Sequence, residues 1–301
     1  MKDKRLITRI LPASVLFCLL IAACERYDIK GMFFGSSPSA DERFAESNAY
    51  NAVHGFKTIK VPTDNYYFYV CTDAHLDGPG QGLSSFVDAC AADSDSAPFA
   101  LFLGDAVNGE DYYDCFFETV APIEDSGKTL FYTPGNHDIY FGQWSRISSE
   151  IGSASYTFEV ITPTDGTDLY VSIDSSSGTL GTDQRAWLGD VLSKAKGNYR
   201  NIIVFTHTHF FKKDNSQGHS GNFKLEEGYD LAKLFKDSGV SLVLSGHDHS
   251  FEETIFKDVR FLTLACIHDT EDPVYYTLEI GSSSARYSCL AADSRRDLLE
   301  L

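Results

Sequence analysis

The feature that most constrains this chain is a short polar cluster that follows a predicted buried strand at Thr129–Tyr132. That run is apolar, β-branched and aromatic, which is typical of a strand inside a sheet. Pro134 and Gly135 then force a turn. Asn136 and His137 are therefore expected in the loop at the carboxyl end of the strand, where open α/β sheets bind their ligands.

Four further predicted strands also end in nitrogen- or oxygen-bearing side chains. Any one of these residues alone is explained by a surface histidine or a capping aspartate. Because strand ends lie side by side at one edge of a sheet, the clusters are expected to converge there. Histidine, aspartate and asparagine without cysteine suit Zn, Fe, Mn or Co. The members are Asp73, His75, Asp105, Asn136, His137, His207, His247 and His249.

The order of the predicted elements indicates the fold class. Strands alternate with helices over most of the chain, and short hairpin-like strands follow from about residue 255. One helix is marked by apolar side chains at the spacing of a single buried face, namely Leu83, Phe86, Val87, Cys90 and Ala91. The pattern predicts one α/β domain built from two packed sheets.

The strand-end motifs resemble, in the same order, the five motifs of the calcineurin-like metallophosphoesterase superfamily. They are Asp73-x-His75, Gly104-Asp105, Gly135-Asn136-His137-Asp138, His207 and Gly246-His247-Asp248-His249, and the resemblance spans about residues 66–280. It implies a four-layer α/β-β/α sandwich of two mixed sheets flanked by helices, with two metal ions (Mn, Zn or Fe) at the strand ends.

The resemblance also implies a role for each motif residue. One metal would be bound by Asp73, His75 and His249. The second would be bound by Asn136, His207 and His247, and Asp105 would bridge the two. His137 would protonate the leaving alkoxide, with Asp138 orienting its ring. The implied reaction is hydrolysis of phosphate mono- or diesters by a metal-activated water, and the motifs do not separate the two substrate types.

The chain departs from the superfamily pattern at two positions. Asn108 stands three residues after Asp105, where protein-phosphatase relatives carry an aspartate, and it can still hydrogen-bond to the His137 ring. His209 occupies a position where many relatives have proline. It is interpreted as a spare ligand, a substrate contact or a polar residue at the rim of the site.

A polar loop at residues 211–223 lies beside His207 and suggests substrate contacts, because loops on a rigid scaffold often carry specificity. A solvated loop without such a role fits the same composition. Substrate binding is therefore an open hypothesis for four cationic or titratable side chains, which are Lys212, Lys213, His219 and, outside the loop, Arg146.

The first 23 residues have a basic start and then a 14-residue apolar stretch, too short to span a bilayer, which needs about 20 residues. This predicts a signal peptide. Its end resembles a bacterial lipobox, which would make Cys24 a lipidated residue on an exported, membrane-anchored protein; an ordinary cleavage site is the alternative. Residues 24–60 are expected to form a tether, and residues 61–301 the catalytic domain.

Composition limits the partners that this chain can bind. Hydrophobic residues make up 43% of the sequence, enough for a substantial core. The formal net charge is −18, and loss of residues 1–23, which carry a net +3, leaves −21. So acidic a protein argues against a nucleic-acid groove. Its expected partners are a small phosphate ester and, through lipidation, a membrane.

Two other functions fit parts of the same pattern. A surface-anchored binding lipoprotein could keep the fold without turnover, but gaps among the ligands would then be expected. A single-metal hydrolase of another bond would not need Asp105 as a bridge. The oligomeric state and the disulfide state of five cysteines stay open at this level: Cys71, Cys90, Cys115, Cys266 and Cys289.

Overall fold

Two mixed β-sheets form the centre of the molecule in a computed structural model that describes residues 37–93, 97–212, 222–268, 272–281, 285–291 and 297–298. The first sheet has seven strands in the spatial order β1 (Lys57–Lys60), β5 (Tyr156–Ile161), β6 (Thr167–Ser172), β7 (Asn201–Phe205), β8 (Leu242–Ser245), β10 (Val259–Thr263) and β9 (Glu252–Phe256). The second has six, in the order β13 (Asp297–Leu298), β12 (Ala285–Ala291), β11 (Val274–Ile280), β2 (Tyr66–Cys71), β3 (Phe99–Phe102) and β4 (Thr129–Tyr132).

The helices connect these strands. They are α1 (Ala40–His54), α2 (Gln81–Ala92), α3 (Tyr113–Asp125), α4 (Trp144–Ile151), α5 (Asp183–Ala195) and α6 (Leu225–Ser238). Short 3₁₀ turns lie at Glu110–Tyr112 and Tyr140–Gly142. In the described part of the chain, no helix has the length and apolar content needed to cross a bilayer.

Three apolar clusters separate the layers. The central cluster lies between the two sheets and is rich in aromatic rings. The rings of Phe131 and Phe158 stack there with their centroids 3.7 Å apart. A second cluster packs α2 and α3 on the outer face of the six-stranded sheet. The third packs α5 and α6 on the outer face of the other sheet. The predicted α/β fold of two mixed sheets flanked by helices is confirmed.

Parallel pairing brings the carboxyl ends of the central strands to one edge. Strands β2, β3 and β4 are parallel to one another, and so are β6, β7, β8 and β10. The ladders continue into the polar loops, where the Asp73 amide donates to the Gly104 carbonyl at 2.9 Å. Across the other sheet, the Gly246 amide donates to the His207 carbonyl at the same distance. These bonds fix the loops that carry the predicted ligands.

The structure differs from the predicted tether over residues 37–60. These residues form α1, capped by Ser39 and Glu42, and the edge strand β1, which pairs in parallel with β5. Hydrophobic periodicity does not indicate this helix, because its buried face is largely polar and includes Arg43, Ser47 and Asn51. The predicted signal peptide and Cys24 lie outside the described residues, as does the tether before residue 37.

Arg43 anchors α1 to the domain through a buried ion pair. Its guanidinium donates to Asp174 Oδ2 at 2.7 Å, and the two side chains are 0% and 1% exposed. It also donates to the Pro38 carbonyl at 2.7 Å. No disulfide joins any of the five cysteines within the described residues.

Removing the buried cation should destabilise the protein far more than removing an exposed one. Arg43→Met leaves Asp174 buried without its partner, and we expect it to lower the free energy of unfolding by about 3–5 kcal/mol. Arg185→Met is the matched control, because Arg185 pairs with Asp230 on the surface, and it should cost less than about 1 kcal/mol. Urea unfolding measures both; equal effects would contradict the anchoring role.

Candidate metal centre

Five of the predicted ligands have a left-handed backbone. Only two other non-glycine residues in the described chain share this conformation, Lys257 and Asp258, which form the turn between β9 and β10. Positive φ is uncommon for residues with a side chain, and such outliers gather at functional sites. The φ values are 56° for Asp73, 44° for His75, 58° for Asp105, 75° for His247 and 57° for His249.

In each of the two buried aspartates, one carboxylate oxygen accepts hydrogen bonds from the surrounding protein and the other faces the histidines. Asp73 Oδ2 accepts hydrogen bonds from Thr72 Oγ1 at 2.6 Å and from the His247 amide at 2.9 Å. Asp105 Oδ1 accepts from the His137 amide at 2.8 Å. Asp73 Oδ1 and Asp105 Oδ2 are thereby oriented toward the imidazoles.

The first ligand group consists of Asp73, His75 and His249. Asp73 Oδ1 lies 3.6 Å from His75 Nε2 and 3.4 Å from His249 Nε2, and the two Nε2 atoms are 3.1 Å apart. Asn108 fixes the His75 ring: Asn108 Nδ2 donates to the His75 carbonyl at 2.9 Å, so Oδ1 faces His75 Nδ1 at 3.0 Å. His75 Nδ1 therefore carries the proton, which leaves the Nε2 lone pair for a metal.

The second group consists of Asp105, His207 and His247. His207 Nδ1 donates to the Leu103 carbonyl at 2.7 Å, which leaves its Nε2 lone pair exposed to the site. That Nε2 lies 3.2 Å from Asp105 Oδ2 and 3.1 Å from His247 Nδ1. Opposed nitrogen lone pairs and carboxylate oxygens at such distances are a ready binding site for a cation.

Asp105 joins the two groups. Its Oδ2 lies 3.6 Å from His75 Nε2 in the first group and 3.2 Å from His207 Nε2 in the second. Two further oxygens, Asp73 Oδ1 and Asn136 Oδ1, are buried and have no hydrogen-bond partner among the described residues. Unpaired buried oxygens are costly unless a ligand satisfies them. The arrangement fits two metal ions with Asp105 between them.

The ionisation of the aspartates and that of the histidines in the cluster depend on each other. Burial opposes ionisation of Asp105, but the neighbouring His207 outweighs it and lowers the pKa of the carboxyl below its ordinary value. Burial likewise disfavours the His207 cation, yet Asp105 and Asp73 raise the pKa of His207 to about 9. The buried carboxylates therefore favour positive charge beside them, as a cation site requires.

His137 lies at the margin of the cluster. One ring nitrogen is within 4.8 Å of the ligand atoms of His75 and Asp105, and its ring meets that of His75 edge-on with centroids 4.6 Å apart. Tyr140 contacts its other side, with centroids 5.4 Å apart. Burial lowers the pKa of His137 below its ordinary value. The protonated ring is thus a readier acid than a solvated imidazole.

Asp138 has a different role from the one predicted. Its carboxylate is fully buried and accepts five hydrogen bonds, none of which, among the described residues, comes from the His137 ring. The donors are the amides of Asp105 (2.9 Å), Ala106 (3.2 Å) and Gly135 (2.8 Å) and the hydroxyls of Tyr113 (3.2 Å) and Tyr132 (2.8 Å). Asp138 therefore positions the loops after β3 and β4.

Two further expectations are corrected. Asn108 contacts the ligand His75 and not the His137 ring, so it acts on the metal site. His209 is not a rim residue: it is 2% exposed, and neither ring nitrogen has a hydrogen-bond partner among the described residues. Its ring stacks on His247 with centroids 5.6 Å apart. Burial lowers the pKa of His209 to about 4, so the ring is neutral at pH 7.

The remaining predicted substrate contacts are not brought into the cluster. Lys212 Nζ pairs with Asp248 at 2.6 Å. Arg146 pairs with Asp114 at 2.6 Å and Glu150 at 2.5 Å on the helical surface. Lys213 and His219 lie outside the described residues.

Sequence reasoning missed His268. Its ring lies 5.9 Å from that of His75, at the site. It follows β10, which is parallel to β8 and ends at the same edge of the sheet. The apolar run before His268 was the available signal, but no recognised motif marks the residue.

The comparisons with known proteins agree with this geometry. A family model described as calcineurin-like phosphoesterase matches residues 66–251. Purple acid phosphatase 18 of Arabidopsis thaliana is 26% identical over 214 residues, which cover 65% of this chain and 47% of that protein. The chain thus spans about half the length of this curated relative.

Two solved structures share the fold. GAP50, the anchor in the inner membrane complex of Plasmodium, superposes with a TM-score of 0.58 at 17% identity, covering 79% of this chain and 88% of that one. Purple acid phosphatase PPD1 from yellow lupin (Lupinus luteus) superposes with a TM-score of 0.59 at 12% identity, and the match covers 78% of this chain and 53% of that one.

A methyl group at Gly135 should disrupt the centre. A Cβ there would lie 2.6 Å from the Asp105 amide nitrogen and would collide with Oδ1 of the same residue. We expect Gly135→Ala to displace Asp105 and reduce bound metal, measured by elemental analysis. Gly189→Ala is the control, since nothing lies within 4 Å of its added Cβ; it should retain full metal content and gain about 1 kcal/mol of helix stability. Equal metal content in both variants would contradict this geometry.

Proposed function

The chain belongs to the calcineurin-like phosphoesterase family, and on that basis we propose that it hydrolyses phosphate esters with two metal ions at the aspartate, asparagine and histidine cluster. The observation that carries the proposal is the position of Asp105 Oδ2, 3.6 Å from His75 Nε2 and 3.2 Å from His207 Nε2. One carboxylate oxygen thus lies close to a histidine of each ligand group, which supports a site for two metal ions.

The chain's own residues supply the remaining parts of the reaction. Bound cations would activate a water molecule and neutralise charge on the phosphoryl oxygens. The water gives up one proton to solvent, its oxygen bonds to phosphorus as the ester P–O bond breaks, and the electron pair of that bond leaves with the alcohol oxygen. His137 gives its ring proton to this oxygen, a contribution of roughly 10²–10⁴-fold for a positioned general acid. Monoesters and diesters both fit this chemistry.

The alternative of a binding protein without turnover is less well supported. Such a protein is expected to have lost ligands or the acid. This chain keeps an ionisable or amide side chain at each of the seven ligand positions, and His137 beside them.

Hydrolysis of p-nitrophenyl phosphate or bis-p-nitrophenyl phosphate tests the proposal. Protein loaded with Mn or Zn should release nitrophenol, and a chelator should abolish the activity. Asp105→Asn should lower kcat/KM by about 100-fold or more, because metal-ion stabilisation of the transition state amounts to several kcal/mol. It should also reduce metal content. Asp190→Asn, an exposed carboxylate on α5, should behave as wild type. A metal-loaded protein inactive on both substrates would overturn the proposal.

We further propose that the protein is exported and held at a bacterial membrane by lipid on Cys24, in the periplasm or at the outer-membrane surface. The support is the basic start, the 14-residue apolar stretch and the small residues before Cys24. Cys24→Ser should abolish labelling of the protein by palmitate, whereas Cys18→Ser should leave it labelled. Palmitate labelling of the Cys24 variant, or none of the wild type, would refute lipidation of Cys24.

A further inference from the structure

A cleft of about 460 Å³ opens beside the metal ligands Asn136 and His247. Two segments that none of the strand-end motifs includes form another part of its lining, here called the wall. One is the start of the described chain, and the other follows β6. The wall residues are Ser37, Pro38, Ser176, Ser177 and Gly178.

The two segments of the wall are held in place by hydrogen bonds from one buried cation. Arg43 donates to the Pro38 carbonyl at 2.7 Å, to Ser177 Oγ at 2.9 Å and to Ser176 Oγ at 3.3 Å. It is held in turn by Asp174, which is 1% exposed. On the first segment, Ser37 Oγ donates to the Ile139 carbonyl at 2.5 Å.

This arrangement makes the Ser177 hydroxyl a proton donor toward the cleft. Its oxygen already accepts from Arg43, and no acceptor among the described residues takes its proton. Ser37 Oγ and Thr208 Oγ1 donate to carbonyl oxygens, so each keeps lone pairs for a ligand hydroxyl. The lining therefore offers both donors and acceptors of hydroxyl type.

The described part of the lining also carries no carboxylate, ammonium or guanidinium group. Among the described residues around the cleft there is no lysine, arginine, aspartate or glutamate. A ligand that carries a second phosphate or a carboxylate would find no cationic side chain among these residues to neutralise it. A neutral group with several hydroxyls would find hydrogen bonds on the wall while its phosphate lies at the ligands Asn136 and His247.

We propose that this cleft binds the alcohol portion of the substrate and selects an uncharged, polyhydroxylated group, as in a sugar phosphate or a polyol phosphate. The inference rests on the proposed function and names its substrate class. Ser177 and Ser37 are specificity-determining residues in this proposal, and Arg43 positions them.

A matched pair of substrates tests the selection. Sorbitol 6-phosphate and hexyl phosphate both have a six-carbon primary alcohol as leaving group, and they differ in the hydroxyls along the chain. We expect kcat/KM of the metal-loaded protein to be at least about tenfold higher for the sorbitol ester, since one well-made hydrogen bond is worth about that factor. Ser177→Ala should lower this ratio severalfold, and Ser37→Ala should do the same.

Ser85→Ala is the control, because Ser85 lies on α2 and is not among the residues that line the cleft, and it should leave the ratio unchanged. Metal content, measured in parallel, should be equal in all variants, which separates loss of selectivity from loss of the metal site. A ratio of one or less in the wild type, or a ratio insensitive to both wall variants, overturns the inference while hydrolysis of p-nitrophenyl phosphate leaves the proposed function standing. If the metal-loaded protein hydrolyses none of these three monoesters and does not hydrolyse bis-p-nitrophenyl phosphate, both the inference and the proposed function are rejected.

Discussion

The buried carboxylate of Asp138 holds together the two loops on which the site depends. It gathers three backbone amides and two tyrosine hydroxyls from the ends of β3 and β4 and from α3. An unpaired carboxylate in such surroundings would be strongly unfavourable, and the five donors offset part of that cost. Burial and the neighbouring Asp105 still raise the pKa of Asp138 above its ordinary value. With the loops fixed in this way, Asp105 is held facing His207, which follows a strand of the other sheet.

The unfavourable left-handed backbone conformation at five predicted ligands is offset by packing and hydrogen bonds around them. Each such residue costs about 1–3 kcal/mol unless its neighbours determine the conformation. Here ladder hydrogen bonds run through the loops, and glycines allow backbone and carboxylate to approach closely: a side chain at Gly246 would collide with Thr72 and Asp73. The core between the sheets thus stabilises a site whose local geometry is unfavourable by itself.

Most of the architecture was predictable because its signals are local. Apolar runs that end in polar clusters identified β2, β3, β4, β7 and β8, and parallel pairing explains why their ends meet. The helix α1 was not predictable, since it buries Arg43 through a partner more than a hundred residues away. The roles of Asn108, Asp138 and His209 depended on which ring or amide lies opposite in space. Spacing along the chain does not contain that information.

The edge strand β1 has a consequence for shortened forms of the protein. It covers one side of β5, whose residues Phe158 and Val160 belong to the core between the sheets. A chain beginning at residue 61, the predicted start of the domain, would leave the amides and carbonyls of β5 open to pairing with another molecule. Such a truncation would favour self-association and insolubility through the uncovered strand, even with every metal ligand intact.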